Sequence, residues 1–135
     1  MVQIMLFSIF SIGLTCLMVY VAWNVLTLQG VTGGELVNST PSPNGDYLIH
    51  TFFRDGGVET AHSVRCELVN VNTNESKNIY FNFPDYNPFV EWLDQDLVKI
   101  GNKTLSIAEG ETYDWRRDHG WSKEVPRQWT NEVKI

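Results

Sequence analysis

Three histidines, one central cysteine and a short run of carboxylates are the side chains with the chemistry for a reactive or metal-binding centre. His50, His62 and His119 fit neither H-E-x-x-H nor a zinc pair shared with cysteines, and they read as structural or solvent-facing histidines. Cys66 lies in an alternating apolar stretch with no base beside it, and there is no Gly-x-Ser-x-Gly, so no activated nucleophile is indicated. "DQD" places Asp94 and Asp96 at a turn, with Asp85 and Glu91 close in sequence. Calcium needs several oxygens converging on one point, and so short a loop supplies too few. Turn aspartates more often bond to their own backbone. Gly56-Gly57 is not followed by Gly-Lys-Ser or a helix, which removes a phosphate loop. The expectation is a chain with no catalytic residue, no metal and no cofactor.

A different chemistry stands out near the C-terminus. In "YDWRRDHGWSKEVPRQWTNEVKI", the tryptophans Trp115, Trp121 and Trp129 interleave with Arg116, Arg117, Lys123 and Arg127. Indole rings beside cations suit a membrane interface or an anionic wall polymer. Trp115, Trp121, Trp129, Arg116 and Arg117 are therefore the candidate interaction surface. The competing reading is that Trp115 completes the core of a sheet and a later tryptophan covers its open face.

The elements that must carry these residues fall into three zones of charge. Val2 to Gly34 holds no charged side chain. Glu35 to Asp114 holds thirteen acids against five Lys or Arg, and Trp115 to Ile135 holds five basic residues against three acidic. An acidic body repels phosphate, so nucleic acid is not an expected partner. Ile4 to Leu26 is apolar and long enough to cross a bilayer, which takes about 20 residues. A cleaved signal peptide would show a basic start, a shorter apolar run and a better cleavage site, so an uncleaved anchor is expected. Cys16 follows a poor lipidation pattern and reads as an inert thiol within that segment. No disulfide with Cys66 is expected. No Lys or Arg precedes Arg54, so the α-amino group is the only positive charge near the short end; Tyr20 and Trp23 suit the second interface, with the body outside the cytoplasm. Ser8, Ser11, Thr15 and Ala22 share a helical face that would let another helix approach, unless the hydroxyls bond back to their own helix.

Beyond Gly30 the period changes. "VTGGELVNSTPSPNG" is rich in turn formers and reads as a tether. "DYLIHTFF", "HSVRCELVNV", "KNIYFNF", "FVEWL", "LVKI" and "KTLSI" then read as short strands with period-two alternation. Val64, Cys66 and Leu68 mark one buried face, and Ile79, Phe81 and Phe83 are expected on one side of the partner strand. Gly101-Asn102 supplies a tight hairpin turn. The sum is a mainly β fold: a small antiparallel meander of five to six strands after one N-terminal transmembrane helix. Its open apolar face must be covered by curling of the sheet or by the C-terminal segment. Ser-Pro-Asn-Gly at 42–45 also opens propeller blades, but this length and the lack of any repeat exclude a propeller. Asn38, Asn74 and Asn102 begin N-x-[ST] triplets that read as chance matches. The expected organisation is an anchor over 1–29, a tether over 30–43, the β-domain over 44–117 and a Trp/basic tail over 118–135.

The ordered fragments "SPNGDYLI", "SVRCELVN", "KNIYFNF", "VEWLDQDLVKI" and "YDW" resemble a family of small uncharacterised bacterial membrane proteins, a domain of unknown function found in bacilli and their relatives. The resemblance covers Ser42 to Trp115. It implies one membrane anchor followed by a β-rich extracytoplasmic domain, and it implies no activity. Three functions are in play: a tethered non-enzymatic binding module with a protein or cell-wall partner, an accessory subunit docked through the Ser8/Ser11/Thr15 face, and a small hydrolase using Asp94, Asp96 or His62.

Overall fold

A computed structural model describes residues 1–57 and 61–120. The chain divides into two units, one through Thr32 and one from Gly33 onward. The first unit is a helix, α1 (Val2–Leu26), with a 3-10 turn at Leu28–Gly30. No charged or proline residue interrupts α1, and its large apolar side chains are exposed along its whole length. At 1.5 Å per residue, its 25 residues extend about 37 Å, more than the roughly 30 Å of a bilayer's hydrocarbon core. It is the one helix among the described residues that is long and apolar enough to cross a membrane. Gly30 permits the turn that follows, because a Cβ there would collide with the carbonyl of Asn24.

The second unit is built from strands. Its larger sheet has the order β1-β2-β3-β4-β8, from β1 (Glu35–Pro41), β2 (Tyr47–Arg54), β3 (Ser63–Asn70), β4 (Ser76–Asn82) and β8 (Tyr113–Asp114). Its smaller sheet is the meander β5 (Val90–Trp92), β6 (Leu97–Ile100) and β7 (Lys103–Ser106). The six expected strands are β2 to β7, and the fold is mainly β as the alternation indicates. Within each sheet these six run antiparallel in meander order. β8 is the exception, pairing in parallel with Tyr80 and Phe81 of β4.

Three features depart from the sequence reading. First, the expected tether contains β1, so the ordered strands begin at Glu35 rather than after Asn44. The Ser42-Pro43-Asn44-Gly45 turn folds β1 back on β2, with Ser42 N donating to Tyr47 O at 2.8 Å and Gly45 at φ +76°. β1 is almost wholly exposed, and its two large apolar residues, Leu36 and Val37, are adjacent and not alternating, so it is paired through the main chain and leaves no apolar period to read. Second, Ile79, Phe81 and Phe83 do not share a face. The register steps from Cys66 opposite Tyr80 to Glu67 opposite Asn78, which leaves Ile79 as an extra, bulged residue. Ile79 and Tyr80 are both buried, and the parity shift sends Phe81 to the opposite face, across from Arg65.

Third, the open apolar face is covered by the second sheet. Ile49, Val64, Cys66, Leu68, Ile79 and Tyr80 form one cluster with Val90, Val98, Ile100, Leu105 and Ile107. Each such side chain, fully buried, contributes about 1.5–3 kcal/mol before the entropy cost of ordering it. "PDYNP" is where the chain leaves one sheet for the other, and its prolines prevent β4 from simply continuing. Trp92 of β5 bridges the layers by donating Nε1–H to Thr40 O of β1 at 3.2 Å. Gly101 closes the β6–β7 hairpin at φ +58°. Asn102 has negative φ, so this is the glycine-first turn of type II′.

Candidate functional site

Of the residues singled out in the tail, Trp115, Arg116 and Arg117 directly follow the edge strand β8 of the larger sheet. β8 delivers Asp114 to a 3-10 turn, Trp115–Arg117, where its carboxylate accepts from Arg116 N at 3.1 Å. The same carboxylate accepts from Arg116 Nε at 2.8 Å and Nη2 at 2.6 Å, a two-point guanidinium grip. Burial works to raise the pKa of Asp114, but the hydrogen bonds and charge of Arg116 outweigh it and hold the carboxyl below its ordinary value. Trp115 lies 5.4 Å from the Phe83 ring and 6.4 Å from Phe81. Arg117 is exposed. Trp121 and Trp129 lie outside the described residues.

Arg116 is one end of an alternating row on the outer face of the sheet. Its guanidinium stands 5.5 Å from the Phe81 centroid, and Arg65, opposite Phe81 on β3, lies 4.0 Å above the Phe52 ring. Arg65 also donates to Asn78 Oδ1 at 2.8 Å and faces Glu67 at 3.5 Å. Each arginine of the row therefore has a carboxylate beside it.

The histidines are separated by the fold. His50 pairs its Nδ1 with Ser39 Oγ at 2.8 Å on the outer face. His62 lies 3.0 Å from Asp55 and is flanked by Phe53 and Tyr86. His119 is exposed beyond the 3-10 turn. Asp94 Oδ1 accepts from Asp96 N and Leu97 N, both at 2.7 Å, which makes it a turn cap. No group of three or more His, Cys, Asp or Glu converges among the described residues. Cys66 is fully buried, and burial pushes its thiol up to about 12. In the other unit, Ser8 and Thr15 hydroxyls donate to the carbonyls of Ile4 and Ser11 at 2.9 Å, bonding back to their own helix.

Two features were not legible in the sequence. The first is a buried polar knot: Tyr80 donates its phenolic O–H to Asp85 Oδ2 at 2.8 Å, Asn82 Nδ2 donates to the same oxygen at 3.1 Å, and Asn87 N donates to Oδ1 at 2.9 Å. Asp85 N in turn donates to His62 O at 2.9 Å. Burial, then the adjacent Asp85 charge, raises the Tyr80 hydroxyl well above its ordinary value. A Cβ on Gly101 would approach Tyr80 Oη at 3.1 Å, so the smaller sheet packs closely over this knot. Its signal was an acid between two prolines, close behind a strand with a tyrosine. The second is a cleft of about 460 Å³ where the two sheets part beside the β3–β4 turn. Tyr47, Leu68 and Ile107 form its apolar part, and Asn70, Glu75 and Lys77 its polar part. No sequence motif joins these residues, because four separated segments supply them.

Over 37 residues, 27% of this chain, the sequence is 51% identical to "Uncharacterized protein YrzH" of Bacillus subtilis (strain 168), covering 86% of that protein. No solved structure matches. A family model described as a family of unknown function (DUF5412) matches residues 1–118. Spanning the helix, both sheets and the Trp115–Arg117 turn, that match makes the chain a member of this family of unknown function.

Proposed function

We propose that the chain is a single-pass membrane protein whose β-domain is a non-enzymatic binding module held outside the cytoplasm, with membrane lipid around α1 and a protein or cell-wall partner on the domain. The observation that carries this reading is the pairing of a helix exposed and apolar on every side with a separately cored sheet unit. An apolar helix of that length has no reason to remain in water. The chemistry of the domain supports binding over catalysis. Its buried thiol is held protonated, its buried tyrosine and aspartate satisfy each other, and its turn aspartate caps its own backbone. Each of these groups is committed to the fold.

The test combines side and contact. Lys99, exposed on β6, is changed to cysteine in a Cys16→Ser background, and intact cells are treated with a membrane-impermeant maleimide. Labelling of intact cells is the expected result; labelling only after permeabilisation places the domain on the cytoplasmic side and overturns the orientation. A photo-crosslinking amino acid at Phe89, 52% exposed, should yield a discrete adduct absent when it is placed at buried Val98. Identical adduct patterns from both positions would count against a binding module.

A further inference from the structure

The cleft between the sheets is large enough for a ligand group, falling within the roughly 300–1,000 Å³ of small-ligand pockets. Its apolar part is built from core-side positions of the fold: Leu68 is 4% exposed, Ile107 is 9% exposed, and Tyr47 packs against the core from the start of β2. An apolar side chain entering there would displace water chiefly from Tyr47, the half-buried member of the three.

The charges at the mouth narrow the chemistry. Glu75 directly precedes β4, Lys77 is its second residue, and both line the cleft. Both are exposed, and neither is within 4.0 Å of an opposite charge among the described residues. A polyphosphate or polyanion that satisfied Lys77 would be repelled by Glu75. A polycation would meet the reverse conflict. A ligand carrying both signs around an apolar group complements the three features together.

Side chains of a polypeptide supply that combination. We infer that this cleft binds an internal peptide segment of a partner protein, placing an apolar side chain against Tyr47, Leu68 and Ile107 with an acidic residue toward Lys77 and a basic residue toward Glu75. This rests on the binding-module reading and gives it a location and a ligand class.

The probe is a set of end-blocked pentapeptides titrated into the full-length chain in detergent micelles, read by amide chemical shifts. Ac-Glu-Thr-Phe-Thr-Lys-NH2 should shift Tyr47, Leu68, Asn70, Lys77 and Ile107 while leaving Lys99 in place. It should bind about fivefold more tightly than the analogue with two Glu or the one with two Lys, the scale of exposed ion pairs gained or reversed. Replacing its Phe with Ser should weaken binding about tenfold, the scale of one buried apolar side chain. Glu75→Lys, at an exposed site, should transfer the preference to the two-Glu peptide, and Lys77→Glu to the two-Lys peptide. Equal affinity for all three peptides, no saturable shift, or a preference unmoved by Glu75→Lys overturns the inference. Tighter binding of free, unblocked Gly-Phe-Gly than of the blocked peptide overturns it too, by making the ligand a small zwitterion. A specific adduct from Phe89 alongside such a failure would remove the cleft and leave the binding module standing.

Discussion

At the scale of single residues, the carboxylates divide by what they hold. Asp94 holds its own turn, Asp85 holds a tyrosine and an asparagine, and Asp114 holds an arginine two residues ahead. Only Asp94 was readable in advance, since a turn aspartate needs no distant partner. Asp114 has a consequence for pH. Its folded pKa lies below the ordinary 3.8, so its ionised form is favoured by folding. That stabilisation is complete at neutral pH and persists down to the unfolded value. It is lost as pH falls through the lower folded value, where the carboxyl protonates and the grip on Arg116 is released. Asp118, lowered chiefly by the hydrogen bond from Gly120 N, acts with the same sign. In urea titrations of the chain from pH 7 down to pH 2, Asp114→Asn should lower the neutral-pH midpoint and flatten its fall at the acid end. A variant whose midpoint falls in parallel with the parent would show that Asp114 is not linked to folding.

At the scale of elements, strands with a period of two were legible wherever one face is apolar. Val64, Cys66 and Leu68 in β3, Val98 and Ile100 in β6, and Leu105 in β7 with Ile107 just after it are all buried in the core as their alternation implies. β1 was hidden because it is an exposed edge strand held by main-chain pairing, whose apolar residues Leu36 and Val37 are adjacent and whose register slips between Leu36 and Asn38. β8 was hidden because two residues carry no period. The bulge at Ile79 was hidden for a different reason: a one-residue insertion is invisible in sequence, yet it inverts the face of everything after it. The PDYNP connection between the sheets is fastened by Asp85, which ties it to Tyr80 and Asn82 of β4 and sits beneath Gly101 of the second sheet. Asp85→Ala should therefore cost about 3 kcal/mol, because Tyr80, Asn82 and Asn87 lose a shared buried acceptor. Tyr80→Phe should cost only about 1 kcal/mol, since the carboxylate retains two donors. Equilibrium unfolding of both variants checks the order, and equal or reversed costs would mean the knot does not fasten the connection.

At the scale of the whole molecule, the chain joins two units that meet the hydrophobic effect in opposite ways. The sheet unit turns its apolar faces inward, while α1 leaves Phe7, Phe10, Leu14, Leu17 and Trp23 more than half exposed. This division was the most legible property of the sequence, because an uncharged run of that length needs no tertiary information to be read. The candidate cleft was the least legible, because it exists only after β2, β3, the start of β4 and the end of β7 have been brought together. Alkaline carbonate extraction of membranes from cells making the full chain is the most direct test of the anchored-domain account. Retention of the chain in the membrane pellet, with release by detergent, is the predicted result. Recovery of the intact chain in the carbonate supernatant would contradict it.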